Sequence, residues 1–137
     1  MDIVDTKTRS RMMSRIRAKN TKPELTARRY FWRKGLRYRL HVKELPGRPD
    51  IVFPKHRAVV EVRGCFWHGH SGCKKFRWPQ SSSGFWREKI LRNKQRDAAN
   101  LRALRKQGWR VHIVWECQIG KAGETRLAAV ARLIAAP

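Results

Sequence analysis

Four side chains constrain this fold more than any others: Cys65, His70 and Cys73 in one short loop, and Cys117 far along the chain. Zinc sites take thiolates and imidazoles, usually four in a tetrahedron. A Cys3His set drawn from these residues requires the loop RGCFWHGHSGC (63–73) to meet the end of the segment WRVHIVWEC (109–117). Four protein ligands leave no position for water, so such a zinc is structural and does not supply chemistry. The plain alternative is a set of free buried thiols and a surface histidine.

Local signals place elements around that closure. TKPE (21–24) reads as a helix start, with Thr21 as N-cap, Pro23 in the first turn and Glu24 completing a T-x-x-E capping box. That helix is predicted to run to about Lys34, to bury Leu25, Phe31 and Trp32, and to end at Gly35. LRYRLHV (36–42) reads as a strand and ELPGRP (44–49) as a turn. DIVF (50–53) and AVVEV (58–62), joined by PKHR, read as a β-hairpin. SSSG (81–84) reads as a loop. FWREKILRNKQRDAANLRALRKQ (85–107) reads as a long basic helix, with Trp86, Ile90, Leu101 and Leu104 near one stripe and Gly108 as its stop. WRVHIVWEC reads as a buried strand and ETRLAAVARLIAA (124–136) as a closing helix. The order αβββαβα argues for a mixed α/β sandwich around a small sheet. Residues 21–137 then form one domain, and residues 1–20 a basic arm. In that arm Met13 and Ile16 share a face if the segment is helical, and cations surround them. Such an arm can fold on a nucleic acid.

Charge narrows the partner. Lys and Arg total 33 against 10 acids, a net +23. Self-repulsion at that level favours a polyanionic partner, with nucleic acid first and an anionic membrane second. No run of about 18 apolar residues exists to span a bilayer, and MDIVDTKTRSRMM lacks a signal-peptide core. The expected location is cytoplasmic, where three cysteines serve as ligands, catalysts or free thiols rather than as a disulfide framework. Charge alone fits an RNA-binding structural protein equally well.

Chemistry needs carboxylates. Phosphodiester-cleaving enzymes commonly gather Mg2+ with them. Asp50 opens one strand of the hairpin, and Glu61 with Arg63 shares a face of the next. PD (49–50) followed by EVR (61–63) resembles the PD-(D/E)xK nuclease core, with Arg63 at the Lys position. The plain reading is a turn aspartate and a solvated Glu–Arg pair. His68 is left over if His70 binds zinc; histidine suits general acid–base work near neutrality, although a structural hydrogen bond or zinc ligation also accounts for it. Glu24 reads most simply as a helix cap. Phe66, Trp67 and Trp86 fall beside these polar groups, whereas Trp32, Trp109 and Trp115 occupy sensible core positions. Aromatic and apolar side chains can wedge between base pairs, a role open to Phe66, Trp67, Trp86, Met13 and Ile16. Ordinary core packing explains each of them singly.

Taken together, TRSRMMSRIRAKNTKPE (8–24), GRPD (47–50), GCFWHGH (64–70), FWREKI (85–90), NKQRD (93–97) and GWRVHIVWEC (108–117) resemble the very-short-patch repair (Vsr) endonucleases, in order, over roughly residues 6–120. The resemblance implies a restriction-endonuclease-like α/β fold of the PD-(D/E)xK type, a mixed sheet flanked by helices with one structural zinc. It implies a Mg2+-dependent, strand-specific DNA endonuclease that nicks 5′ to the thymine of a T:G mismatch left by deamination of 5-methylcytosine. By that similarity Asp50 is the metal-binding acid, His68 the catalytic histidine and Glu24 a supporting acid. Zinc falls on Cys65, His70, Cys73 and Cys117, and the backbone carbonyl of Val62 is a second Mg2+ contact. Phe66, Trp67 and Trp86 match an aromatic wedge, with Met13 and Ile16 on the opposite side. Two positions depart from the pattern. Arg63 stands where relatives often carry His or Asp; it can stabilise phosphorane charge but cannot act as a base near neutral pH. Glu61 is an acid where the family needs none, and can give a more ordinary nuclease metal site. The implied setting is a monomer on double-stranded DNA in the bacterial cytoplasm, associated with the nucleoid. Functional links to a 5-methylcytosine methyltransferase and to mismatch-repair proteins follow from the same resemblance. The competing readings are a restriction or mobile-element nuclease of the same fold, and a non-catalytic zinc-stabilised DNA- or RNA-binding protein.

Overall fold

The computed structural model describes residues 21–74, 76–78, 83–119 and 124–136. The 1–20 arm, with Met13 and Ile16, lies outside the described residues. Helix α1 (Lys22–Arg33) starts as its sequence predicts: Thr21 is the N-cap, and its hydroxyl accepts from the Glu24 N–H at 3.5 Å. It ends with the Leu36 N–H donating to the Phe31 carbonyl at 3.0 Å, across Gly35. Strands β1 (Arg39–Leu40), β2 (Ile51–Phe53), β3 (Ala58–Arg63) and β4 (Arg110–Trp115) follow, with helix α2 (Ser83–Lys106) between β3 and β4. Helix α3 (Thr125–Ala135) closes the described chain. Ser83 and Gly84 belong to α2, so the predicted loop stops before them.

Among the described residues the sheet order is β1-β2-β3-β4. The first two pairings are antiparallel, and β3 with β4 is parallel. The hairpin forms as expected, with Ile51 opposite Val60. A parallel neighbour needs a crossover, and the long α2 supplies it. Alternation along β3 sorts its side chains between two layers. Ala58, Val60 and Val62 join α1 and α3 in the larger core, with Phe31, Phe53, Val114, Leu127 and Ile134. Val59 faces the other way and packs on Leu104 of α2. The result is a mixed sheet with α1 and α3 on one face and α2 on the other.

Several expectations change. The predicted strand 36–42 is cut to two paired residues, because His41 adopts φ +47° and turns the chain away from the sheet. The 109–117 strand is only partly buried: among the described residues β4 is the sheet edge, and Cys117 lies in the 3-10 turn Glu116–Gln118 beyond it. On the edge, Arg126 of α3 donates to the Ile113 carbonyl at 2.9 Å, so part of the edge is already covered. Trp32 is not core. It is 51% exposed, with the Arg37 guanidinium 3.7 Å from its ring centroid. Trp32 sits one residue past Phe31, about 100° around the helix from the Ala27–Phe31 buried stripe, and Leu25 is half-buried. Trp109 is half-buried with Arg57 over its ring. Trp115 is also half-buried.

Candidate active site and metal centre

The ends of β3 and β4, the start of β2 and the first turn of α1 open onto one cleft of about 500 Å³. Glu24, Asp50, Glu61, Asp97 and Glu116 line it, half of the ten acids in the whole chain. In a +23 protein, five carboxylates around one cleft make a local reversal of charge.

Asp50 directly precedes β2, across the hairpin from the end of β3, and its carboxylate accepts the Val62 N–H at 2.8 Å. Gly47 lets the preceding turn come close: a Cβ there would lie 2.7 Å from Asn100 Nδ2, at φ +75°. Glu24 is buried in α1; its backbone N–H donates to the Thr21 cap, while its carboxylate accepts from Arg28 at 3.0 Å. His41, delivered by its left-handed turn, completes the group. Ligating atoms of Glu24, His41 and Asp50 all lie within 4.8 Å of one another. Arg28 also donates to His41 Nε2 at 3.1 Å. Burial, together with the Glu24 charge, pushes Asp50 up to about 7, against the lowering effect of the Val62 N–H. Glu61 stands apart from this trio: its carboxylate is 2.7 Å from Arg63, and both side chains are largely buried rather than solvated. Two carboxylates and an imidazole so close together suit a hard divalent cation.

His68 faces the same cleft. Its Nδ1 is 2.6 Å from Asp97 Oδ2 on α2. A carboxylate there favours the Nδ1–H tautomer and leaves Nε2 as the basic nitrogen. The grip of α2 on this loop extends to both neighbours of His68. Asn93 donates to the Trp67 carbonyl at 3.0 Å, and Lys94 to the Gly69 carbonyl at 2.9 Å. Gly69, at φ +60°, makes that contact possible, since a Cβ would sit 3.0 Å from Ile90 and 3.1 Å from Lys94.

The loop then closes on itself and on β4. Ligating atoms of Cys65, His70, Cys73 and Cys117 lie within 4.8 Å of one another, as the sequence spacing predicts. His70 Nδ1 is 3.5 Å from Cys117 Sγ, and its ring stacks flat on Trp115 at 3.9 Å. Trp115 therefore packs on a candidate metal ligand rather than filling core. Glu116 accepts the Cys65 N–H at 2.9 Å and ties the loop to the strand end. Burial pushes the Cys65 thiol up to about 12, so the thiolate needs a cation beside it. Three thiols and one imidazole, with no oxygen donor, are the chemistry of a structural zinc site. Phe66 and Trp67 line the cleft between the two centres, and Trp67 meets Trp86 of α2 at 5.7 Å between centroids.

The structure thus brings together Glu24, Asp50, Glu61, Val62, Arg63, Phe66, Trp67 and His68 around one cleft. Sequence reasoning missed His41, Asp97, Arg28 and Asn93. Asp97 carried a usable signal: Asn93 and Asp97 fall in line with the Trp86, Ile90, Leu101, Leu104 stripe, and polar residues on a buried stripe need partners.

Comparison with known proteins agrees with these observations. Residues 1–75 match the family model for the DNA mismatch endonuclease Vsr. The chain is 48% identical over 118 residues to the type II nicking enzyme V.XorIIP of Xanthomonas oryzae pv. oryzae, covering 85% of this chain and 86% of that protein. It is 46% identical to the type II nicking enzyme V.NmeAIP of Neisseria meningitidis, covering 86% and 84%. Identity to the DNA mismatch endonuclease Vsr of Escherichia coli is 41%, covering 86% and 75%.

Proposed function

Because the chain belongs to the Vsr DNA mismatch endonuclease family, we propose that it is a Mg2+-dependent, strand-specific DNA endonuclease that nicks 5′ to the thymine of T:G mismatches. The observation that carries the reading is the shared cleft: Glu24 and Asp50, backed by His41, open onto one space with a His68–Asp97 pair and the Phe66 and Trp67 rings, in a strongly cationic chain. The hairpin bearing Asp50 and Glu61, with β4 parallel to β3, supports a restriction-endonuclease-like fold of the PD-(D/E)xK type.

Glu24, Asp50 and His41, with the Val62 carbonyl, are the residues proposed to hold Mg2+. When bound, Mg2+ offsets negative charge on the scissile phosphate and helps generate the nucleophile. The remaining steps belong to the chain. Asp97 holds the His68 proton on Nδ1, so Nε2 can take or return a proton beside the phosphate. Arg63, neutralised in part by Glu61, supplies fixed positive charge at the cleft wall. Cys65, His70, Cys73 and Cys117 are proposed to hold the structural Zn2+ that fixes this loop. Phe66, Trp67 and Trp86 open the base stack, which costs least at a weak pair. The 1–20 arm, with Met13 and Ile16, and the cationic face of α2 grip phosphates, so binding weakens steeply with salt.

The decisive assay compares T:G and T:A duplexes of one sequence in Mg2+. Nicking only the T:G duplex, on the thymine strand, is expected. Equal cutting of both would replace mismatch repair with the site-specific nicking that the names of the type II relatives describe. No Mg2+-dependent cutting of either would leave a binding protein.

Two further outcomes arise from the geometry. Asp97→Asn should lower the nicking rate by about 10²-fold, because a neutral amide no longer stabilises the imidazolium and can present its NH2 to Nδ1, favouring the other tautomer. An unchanged rate would remove Asp97 from the positioning of His68. Mg2+ requires Asp50 as a carboxylate, and in the metal-free protein a proton competes up to about pH 7. Mg2+ affinity should therefore climb with pH, by a factor approaching ten per unit below pH 7, and level off above it. A titration calorimetry series that is flat from pH 5 to 8 would take Asp50 out of the metal site.

A further inference from the structure

Among the described residues, a connected series of six rings runs outward from the cleft: Trp67, Phe66, Phe76, Trp78, Trp86 and Phe85. Neighbouring centroids are 4.9 to 6.3 Å apart. The rings matching the family wedge are not the ones presented most openly. Trp67 and Trp86 are each only 8% exposed, and Phe66 is half-buried. Phe85, one residue before Trp86 and 4.9 Å from it, is 52% exposed. A phenylalanine that open on a helix gains little from folding, since most of its surface stays in water.

Its surroundings suit duplex DNA. Lys89, one turn along α2, lies within 6 Å of three ring centroids: Trp67 at 5.6 Å, Phe85 at 5.8 Å and Trp86 at 5.9 Å. Arg87 lies 4.8 Å from the Trp78 ring. From residue 74 to 92 the sequence has six Lys and Arg against one acid, Glu88. Exposed rings flanked by cations are the combination that binds unstacked bases, the cations taking phosphates and the rings taking base faces.

We infer that Phe85 is a DNA-stacking residue that covers a base face bared when the mismatch step opens, with Lys89 meeting the adjoining backbone. The inference deepens the proposed mismatch activity and rests on it. Opening one step bares two base faces, and each left uncovered by protein or by its former neighbour loses its stacking. Phe85 borders Trp86, with 4.9 Å between ring centroids, so a base that reaches Trp86 lies next to Phe85.

The test uses the full chain and two duplexes identical except for T:G or T:A, with 2-aminopurine beside the variable pair. Phe85→Leu keeps apolar bulk against Trp86 but removes the ring face, and Phe85→Ala removes both. Phe85→Leu is expected to weaken T:G binding roughly tenfold, leave T:A binding unchanged and reduce the 2-aminopurine brightening that reports unstacking. Thermal melting of Phe85→Leu within a few degrees of the unaltered protein accompanies that result. Unchanged T:G affinity in both variants, or an equal loss on both duplexes, would overturn the role. Equal affinity of the unaltered protein for the two duplexes would instead overturn the mismatch reading itself, and this inference with it.

Discussion

Asp50→Asn is expected to abolish Mg2+-dependent nicking, by at least about 10³-fold, while duplex binding stays within a few-fold. The substitution is nearly isosteric, and the amide oxygen can still accept the Val62 N–H now held at 2.8 Å. The hairpin end therefore keeps its shape and only the charge is lost. Removing that charge does not weaken the fold. Burial and Glu24 push Asp50 up to about 7, so the ionised carboxylate is the costly form, present in full only above that pH. The variant should melt no lower than the parent at pH 8. Residual nicking within tenfold of the parent would mean that the catalytic cation is held elsewhere.

Cys117→Ser acts on the other centre and should cost stability rather than chemistry alone. Cys117 lies in the turn after β4, and its partners sit in the loop after β3. The proposed structural zinc, spanning those two strand ends, would contribute its binding energy to folding. The melting temperature is expected to fall by about 10 °C or more, and the zinc content to drop from about one equivalent. His68 would then lose the support on its C-terminal side, so T:G nicking falls too, and added Mg2+ does not restore it. A variant with full zinc content and an unchanged melting temperature would remove Cys117 from the set.

The Cys3His cluster and the hairpin were legible because each rests on local chemistry. Thiols and imidazoles at short spacing have few other uses, and β-branched runs around PKHR have one easy topology. The acid–imidazole trio was legible only by halves. Asp50 and Glu24 stand in recognisable contexts, but nothing in LRYRLHV marks His41. Its place beside Glu24 and Asp50 goes with a φ of +47°, which no residue of that run signals. Arg63 and Glu61 were visible as a pair, but their burial was not, since it depends on neighbours far along the chain such as Trp115, whose ring centroid is 5.8 Å from Arg63. Trp32 misled for a simpler reason: hydrophobicity placed it inside, and helix phase placed it outside. Asp97 lay in plain view on the α2 stripe, where a charge is worth asking about.

The loop from Cys65 to His70 has a consequence for how such a protein can evolve. On the proposed roles, six consecutive residues hold a zinc ligand at each end and, between them, the rings that read the base stack and the imidazole that moves a proton. Three backbone and side-chain contacts from α2 pin positions 67, 68 and 69 in register. An insertion or deletion there would disturb scaffold, reading and cutting at once. Variation in what is recognised must therefore be sought in segments outside this loop, and the loop itself should tolerate little change in length.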